Sequence, residues 1–363
     1  MKLKKLFAGI VAVAMMATMA MPGFATQLPE TDADNGTNTT VESNVTNGNI
    51  TLTKEYKNVN AATTSQAETF TFVIKSSTDP NKKTTSLPAT GLEVSTSNQL
   101  TAGGPTASAN AISTGTATVS VGTDGLNITK PGVYYYTVTE KDGGKQGVTY
   151  DDRALTMKVT AGYKNDSDNF LTYWVALSRP DESGKEVKTN NKFENTYSAG
   201  TLSVRKNIVG LEGDRAKEFD FKIVFSGVAG TAFSGKLGET EYPVTIGTDG
   251  TATVTGLKMT DESTITFTNV PYGVTYTIYE KPENYSATVD KAALTQGEEG
   301  WYYYSSSEDG VNAVSTNVTV TNALGGTVDT GVILDNAPYI ALLTIVAAGA
   351  VVMIMKKRRN YED

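Results

Sequence analysis

Short runs of β-branched and aromatic residues recur along the chain from Asn49 onward, separated by clusters of Gly, Asn, Asp and Ser. The run Phe70–Ile74 is one example. Runs of this length and composition are typical of β-strands, and their spacing is typical of β-sandwiches. Residues 76–122 have few bulky side chains and predict loops with irregular strands. Because no long amphipathic helix pattern occurs in this part of the chain, the sequence predicts an all-β fold.

Six polar residues interrupt the apolar face of the predicted strands. They form two sets in the same order, namely Lys54, Glu140 and Asn195, followed by Lys206, Glu280 and Asn322. Alternate residues of a strand share a face, so Lys54 points the same way as Ile50 and Leu52, whereas Arg205 points away from Lys206. Burying an unpaired ammonium or carboxylate costs several kcal/mol. We therefore expect these inward groups to be paired, neutralised or consumed by a reaction.

The repeated order extends to the residues around the six positions, which indicates duplicated domains. The matching segments are Leu52–Lys54 with Val204–Lys206, Pro131–Tyr136 with Pro271–Tyr276, and Phe193–Asn195 with Val320–Asn322. The run Ser198–Gly200 separates the two copies. We expect an N-terminal domain over residues 49–197 and a C-terminal domain over residues 198–325, joined by a short linker into an elongated rod.

The two ends of the chain carry targeting patterns. Residues 1–25 combine early basic residues with an apolar run and small residues, which is typical of a secretory signal peptide. Residues 26–48 are polar and predict a flexible leader. Within the final segment, residues 326–363, the uncharged run 337–355 approaches the roughly 20 residues of a membrane-spanning helix, and a basic tail follows it. The body of the protein is therefore predicted to face outward from the cell.

The residue composition excludes several classes of function. The chain has no cysteine and no histidine, so disulfides, histidine-based triads and His-rich zinc sites are impossible. A formal net charge of −8 disfavours nucleic acid as a partner. We expect no metal, no cofactor and no nucleic-acid partner. Any covalent brace of this exported chain must use chemistry other than disulfides.

The three inward residue types can react with one another. Burial lowers the pKa of a lysine and raises that of a glutamic acid, so the amine becomes nucleophilic and the acid becomes a hydrogen-bond donor. Attack of the amine on an Asn amide polarised by that acid, with loss of ammonia, gives a Lys–Asn isopeptide bond. The alternative is polar residues at strand edges that pair or reach solvent. Two ordered sets with matching strand parity favour the isopeptide bond over this alternative. The reaction would be a single turnover within the fold rather than enzyme activity.

Several stretches of the chain resemble the backbone pilins of Gram-positive bacteria, in the family named for the streptococcal pilin isopeptide linkage domain. These stretches are Leu52–Lys54, Pro131–Glu140, Gly213–Phe219 and Ala337–Leu342, and the resemblance spans nearly the whole mature chain. It implies two tandem Ig-like domains, each with an isopeptide bond between its first and last strands. By resemblance, Lys54 bonds Asn195 with Glu140 assisting, and Lys206 bonds Asn322 with Glu280 assisting.

The resemblance also implies a sorting signal, which sortases cut between Thr and Gly ahead of a membrane segment. Thr327–Gly331 occupies that place, so cleavage is predicted between Thr330 and Gly331. Asp329 stands where related signals have proline, which favours a dedicated pilin sortase over the housekeeping one. An exposed lysine of another subunit would then attack the acyl-enzyme formed at the threonine. Lys188 has the spacing closest to that of related pilins, with Lys185 as its competitor.

These features predict a structural protein outside the cell. The leading hypothesis is the shaft subunit of a cell-surface pilus, joined to other copies of itself by sortase-made Thr–Lys bonds and anchored to peptidoglycan. Its partners would be a pilin-class sortase and minor pilins. The alternative is a monomeric wall-anchored adhesin or a minor pilin that binds a ligand on the host surface or matrix.

Overall fold

The computed structural model describes residues 45–46, 48–163, 171–181 and 183–325. The predicted signal peptide, most of the predicted leader and the predicted sorting segment lie outside the described residues. Among the residues that are described, no helix has the length and apolar character needed to cross a membrane.

Eleven strands of the described residues form the first β-sandwich domain. In chain order they are β1 (Val45–Thr46), β2 (Asn49–Asn58), β3 (Thr71–Ser76), β4 (Leu92–Ser95), β5 (Ile112–Ser120), β6 (Gly132–Glu140), β7 (Val148–Thr149), β8 (Leu155–Gly162), β9 (Thr172–Pro180), β10 (Glu186–Lys188) and β11 (Lys192–Tyr197). One sheet has the order β1-β2-β11-β7, with β5 also paired to β2. The other sheet has the order β10-β9-β8-β6-β3-β4.

Twelve further strands of the described residues form the second β-sandwich domain. They are β12 (Ala199–Val209), β13 (Phe219–Ser226), β14 (Ala232–Leu237), β15 (Thr240–Thr245), β16 (Thr251–Met259), β17 (Thr264–Pro271), β18 (Thr275–Lys281), β19 (Ser286–Val289), β20 (Ala292–Ala293), β21 (Thr295–Gln296), β22 (Tyr302–Ser305) and β23 (Ser315–Ala323). One sheet has the order β15-β14-β17-β12-β23-β19-β20, and the other has the order β16-β13-β18-β22-β21.

An alternation of inward and outward residues builds the two cores. In β2 every second residue from Ile50 to Asn58 is buried, and β13 alternates in the same way from Phe219 onward. Apolar side chains from both sheets of each domain interlock in a main core, which is how two amphipathic sheets stabilise one another in a sandwich. The all-β fold expected from the sequence is confirmed.

In each domain the first long strand and the last strand lie side by side and run parallel. In the β2–β11 pair, Asn195 lies opposite Tyr56. In the β12–β23 pair, Asn322 lies opposite Ile208. In both domains the asparagine is therefore opposite the residue that follows the inward lysine by two positions, which puts lysine and asparagine on the same inward face of one sheet.

The segment 76–122 contains more regular structure than its sequence indicates. Its strand β5 spans nine residues and pairs with β2 from Asn49 to Lys57. Small inward residues such as Gly115 and Ala117 allow this close pairing. A Cβ atom added at Gly115 would approach the side chain of Leu100 to 3.0 Å. At this position of β5, the space left by the neighbouring Leu100 side chain therefore favours a small residue.

The two domains meet through hydrogen bonds as well as through the chain, which has one residue between β11 and β12. Gln146 Nε2 donates to the carbonyl oxygen of Tyr272 at 2.7 Å, and Gln146 Oε1 accepts the N–H of Val228 at 3.0 Å. Asn269 Nδ2 donates to the carbonyl oxygen of Thr64 at 2.7 Å, and Asn269 Oδ1 accepts the Thr64 N–H at 2.9 Å. Gln146 and Asn269 are thus two of the side-chain amides that bridge the domains, and Asn60 and Gln66 also donate across the junction.

Candidate functional site

Lys54, Glu140 and Asn195 meet in the interior of the first domain. Lys54 Nζ lies 2.7 Å from Glu140 Oε2, and Asn195 Nδ2 donates a hydrogen bond to Glu140 Oε1 at 2.7 Å. The side chains of Lys54 and Glu140 are 0% exposed, and Asn195 is 0% exposed. One carboxyl group therefore holds the amine and the amide together away from water.

Strands of both sheets position this first cluster. Lys54 and Asn195 stand on the neighbouring strands β2 and β11, while Glu140 ends β6 of the other sheet, where it pairs with Phe72 of β3. The residues preceding Lys54 on its face, Ile50 and Leu52, are fully buried. The inward direction expected for Lys54 from strand parity is confirmed.

The second domain repeats the arrangement with Lys206, Glu280 and Asn322. Lys206 Nζ lies 3.3 Å from Glu280 Oε1, and Asn322 Nδ2 donates to the same Oε1 at 2.8 Å. Glu280 again comes from the opposite sheet, where it pairs with Phe221 of β13. All three residues are 0% exposed. Each predicted set of three residues is therefore brought together.

An aromatic ring lies under each lysine amine. Lys54 Nζ lies 4.9 Å from the centroid of the Phe70 ring, and Lys206 Nζ lies 4.8 Å from that of Phe219. Our sequence reasoning did not assign either phenylalanine to a site. A repeated Phe-x-Phe pattern could have indicated them. Phe70 and Phe219 each stand two residues before a second phenylalanine, and that second phenylalanine lies opposite the inward glutamate in the sheet. The rings exclude water from the amines and form part of the repeated site.

Burial shifts both ion pairs towards their neutral forms. Desolvation lowers the pKa of Lys54 to about 8, although the charge of Glu140 opposes the shift. The pKa of Lys206 is lowered to about 8 for the same reason, against the charge of Glu280. Desolvation raises the pKa of both glutamic acids, although the neighbouring lysine opposes it. Proton transfer from the ammonium to the carboxylate is thus easier here than in water.

This geometry can support acyl transfer from an amide to an amine. A proton moved from lysine to glutamate leaves a neutral nucleophile beside an asparagine amide that the glutamate already holds. The protonated acid can then polarise the amide and later return the proton. Ammonia would be the leaving group.

Two protein-family models match the chain, one for each domain. The first, described as a Spy0128-like isopeptide containing domain, matches residues 50–198. The second, described as a domain of unknown function, DUF7601, matches residues 200–323. The first match includes Lys54, Glu140 and Asn195. The second family model has no described chemistry, so the assignment of a reaction to the second cluster rests on its geometry alone.

A pilin of Streptococcus pyogenes serotype M1 is 30% identical to the chain over 241 residues, which cover 63% of this chain and 68% of that pilin. The chain belongs to the major pilin family. This is a family of structural proteins, and membership implies a cell-surface pilus assembled with other pilins. The crystal structure of the major pilin from Streptococcus pyogenes matches with a TM-score of 0.50 and 23% identity, covering 78% of this chain and 100% of that chain. That likeness shows the shared fold.

A loop residue that sequence reasoning missed completes the first cluster of this pilin homologue. The backbone N–H of Asp151 donates to Asn195 Oδ1 at 2.8 Å and lies 3.3 Å from Glu140 Oε2. Asp151 follows β7 and is 5% exposed. A backbone N–H has no side-chain signature, so the sequence could not have indicated this contact.

The second cluster has no equivalent donor. Among the described residues, nothing donates a hydrogen bond to Asn322 Oδ1, and Glu280 Oε2 is also buried without a partner. Lys206 Nζ instead donates to the carbonyl oxygen of Asn207 at 3.2 Å. The two clusters therefore share their side chains but differ in the hydrogen bonds around them.

The residues predicted to link subunits lie apart from the clusters. Lys188 ends the edge strand β10, and Lys185 lies just before it. Both are exposed. Thr330 and Gly331 lie outside the described residues. No group of metal-binding side chains occurs in the described part of the chain.

Proposed function

We propose that the chain is the structural subunit of a covalently polymerised pilus, braced by Lys54–Asn195 and Lys206–Asn322 isopeptide bonds. The observation that carries the proposal is the pair of buried clusters, in which one glutamate contacts both the lysine and the asparagine. Isolated buried ions are costly, and their consumption in a bond removes that cost. The matched family description for the first domain supports the same reading.

In the first cluster, Glu140 takes a proton from Lys54, and the neutral Nζ attacks Asn195 Cγ. The Nζ–Cγ bond forms, and Asn195 Oδ1 carries the developing negative charge. Glu140 gives its proton to Nδ2, the Cγ–Nδ2 bond breaks with loss of ammonia, and the Glu140 carboxylate takes the surplus proton from Nζ. The departing ammonia carries that proton away as ammonium, so a lysine ammonium and a primary amide become a secondary amide and ammonium, and Glu140 returns to its carboxylate form. Lys206, Glu280 and Asn322 would perform the same steps.

Each subunit would be built and joined as follows. Residues 1–25 are removed on export, residues 26–48 form a leader, and Ig-like domains over 49–197 and 198–325 form an elongated rod. A pilin-class sortase cuts the 326–363 signal between Thr330 and Gly331. Lys188, with Lys185 as its competitor, resolves the acyl-enzyme, so that copies of the chain are linked by Thr–Lys bonds, joined to minor pilins and attached to peptidoglycan.

Cell-wall extracts from the native host test this proposal by electrophoresis in SDS. A ladder of SDS-resistant multimers is expected from the wild type, and Lys188→Arg should abolish the ladder while Lys185→Arg preserves it. The reverse pattern would transfer the linking role to Lys185. A single wall-bound band in the wild type would contradict polymerisation and favour a monomeric adhesin.

A further inference from the structure

We propose that the backbone N–H of Asp151 stabilises the oxyanion that forms on Asn195 Oδ1, so that the first isopeptide bond forms faster than the second. The inference rests on the proposed function, since it concerns a step of that reaction. It adds a catalytic group that the lysine, glutamate and asparagine do not supply.

The position of this N–H fits the chemistry. It already donates to Asn195 Oδ1 at 2.8 Å in a buried setting. Attack of Lys54 Nζ on Cγ turns that oxygen from an amide carbonyl into an oxyanion, and the same N–H then contacts a full negative charge. A preorganised donor in a water-excluded site stabilises such a charge much more than it stabilises the starting carbonyl. The contact therefore strengthens in the transition state.

The carboxylate of Asp151 positions this N–H. Its Oδ2 accepts the backbone N–H of Glu194 at 3.0 Å, which ties the loop to the residue before Asn195. Arg153 binds both carboxylate oxygens, at 2.8 and 2.7 Å. Arg179 Nη1 lies 3.6 Å from Oδ2. Burial opposes ionisation of Asp151, but the bonds from Arg153 and Glu194 and the charge of Arg179 outweigh it and lower the pKa to about 2. The loop is thus fixed against β11 by a carboxylate that stays ionised.

In the second domain, the comparable aspartate–arginine pair fixes a different strand. There Asp261 Oδ1 accepts the N–H of Ile208 at 2.7 Å, and Arg215 donates to Asp261 Oδ2 at 3.0 Å. This aspartate–arginine pair fixes the lysine strand β12 rather than the asparagine strand β23. Within the described residues, Asn322 Oδ1 has no donor. An oxyanion on Asn322 would depend on Glu280 alone.

A time course on the full chain tests the inference. Protein made by cell-free translation is quenched in denaturant at intervals and digested, and mass spectrometry measures the cross-linked fraction at each site. Asp151→Pro removes the N–H. It should slow formation of the Lys54–Asn195 bond by about 10²–10³-fold, the usual effect of losing one oxyanion donor. The Lys206–Asn322 bond in the same molecules is the internal control and should form at the wild-type rate.

Two further variants separate the N–H from its support. Asp151→Asn keeps both the N–H and an oxygen that can accept from Glu194, and it should react within a few-fold of the wild type. Asp151→Ala keeps the N–H without the clamp and should be slower than Asp151→Asn but faster than Asp151→Pro. An Asp151→Pro chain with native near-ultraviolet circular dichroism and a wild-type rate would overturn the inference. So would equal slowing by Ala and Pro.

If Asp151→Pro does not fold, the rates of bond formation in the wild-type chain test the inference. The Lys54–Asn195 bond should form at least about tenfold faster than the Lys206–Asn322 bond, because one oxyanion donor usually accelerates a reaction by more than this. Equal rates, or a faster second site, would overturn the inference while leaving the proposed function intact. Absence of cross-links at both wild-type sites would instead contradict the proposed function itself.

Discussion

Lys54 and Lys206 are among the largest fully buried side chains of the described residues. An ammonium ion in such a place needs a counter-charge or must lose its proton. Each lysine has a glutamate carboxyl oxygen within 3.3 Å, and each glutamate in turn holds an asparagine amide. At the scale of single residues, packing therefore keeps together the lysine, glutamate and asparagine that the proposed reaction needs.

Replacement of Glu140 by glutamine should prevent the first bond and leave the second intact. The glutamine amide could not accept the proton of Lys54, and it would leave a buried ammonium without a counter-charge, which costs about 3–5 kcal/mol of unfolding free energy. Peptide mapping and urea unfolding measure the two effects. Glu194→Gln is the matched control, because its carboxylate is exposed and lies 3.6 Å from a partly exposed Lys57, and surface pairs contribute at most about 1 kcal/mol. A Glu140→Gln chain with the Lys54–Asn195 bond would contradict the assigned role.

Stability should depend on pH when the first bond is blocked by Asn195→Ala. The folded-state pKa of Lys54 is lowered from 10.5 to about 8, so between these values the unfolded chain binds more protons than the folded chain. Unfolding free energy therefore rises with pH across this window, by up to about 3 kcal/mol. Urea unfolding at several pH values measures the rise. The same chain with Lys54→Met and Glu140→Gln should lack it, and a fall in stability over this window would contradict the assigned desolvation of Lys54.

Strand parity was enough to predict that the six polar side chains point inward, because the alternation of a strand fixes the direction of each side chain. It was not enough to predict their surroundings. Phe70 precedes its strand β3 and contacts Lys54 only after the sheets pack. The Asp151 contact uses the main chain, which is the same in every residue. Sequence indicates the six inward polar residues, whereas tertiary structure supplies the groups that surround them.

The parallel pairs β2–β11 and β12–β23 are the elements that would bear tension. Each pair contains the first long strand and the last strand of its domain. A bond from Lys54 to Asn195 would carry force directly from one strand to the next, because the chain between the tied residues could not extend. This constraint is the mechanical counterpart of a disulfide that closes a long loop.

Single-molecule pulling from both ends tests this role of the strand pair. The wild-type domains should not lengthen, whereas Asn195→Ala should release residues 54–195, at about 3.3–3.6 Å per residue. Asn191→Ala is the control on the same side of the domain, because it removes only hydrogen bonds to Thr51 and Thr53. Lengthening of the wild-type first domain by the full segment would contradict a covalent tie.

Among the strands, the prominent apolar runs were predictable, and β5 was not. Its inward residues Gly115 and Ala117 lack the bulk that marks a buried strand. At Gly115 the small size is required by the close approach of Leu100. Local pattern therefore fails where the neighbouring element, rather than the strand itself, fills the core.

At the scale of the whole molecule, the contacts at the domain junction set how far the two domains can bend relative to each other. Gln146 makes two hydrogen bonds across the junction, one with Tyr272 and one with Val228. Asn269 makes two hydrogen bonds with the backbone of Thr64. The sequence predicted a short connection at residues 198–200. It could not predict these bridges, because the residues are far apart along the chain. They should restrict bending between the domains.

Loss of the Gln146 and Asn269 amides should widen the distribution of interdomain distances. Because the chain has no cysteine, Lys130→Cys and Asn317→Cys place one spin label in each domain without interference. Double electron–electron resonance should give a narrow distribution for this pair and a broader one after Gln146→Ala with Asn269→Gly, where glycine tolerates the positive φ of 57°. Gln296→Ala on the exposed strand β21 is the control. An unchanged width would show that the amides do not restrict the junction.

The covalent brace is the central claim, and intact mass measures it most directly. Recombinant protein comprising residues 26–330 should weigh two ammonia molecules less than its sequence. Lys54→Ala and Lys206→Ala should each restore one ammonia, and the double variant should restore both. A wild-type mass equal to that of the sequence would contradict the account.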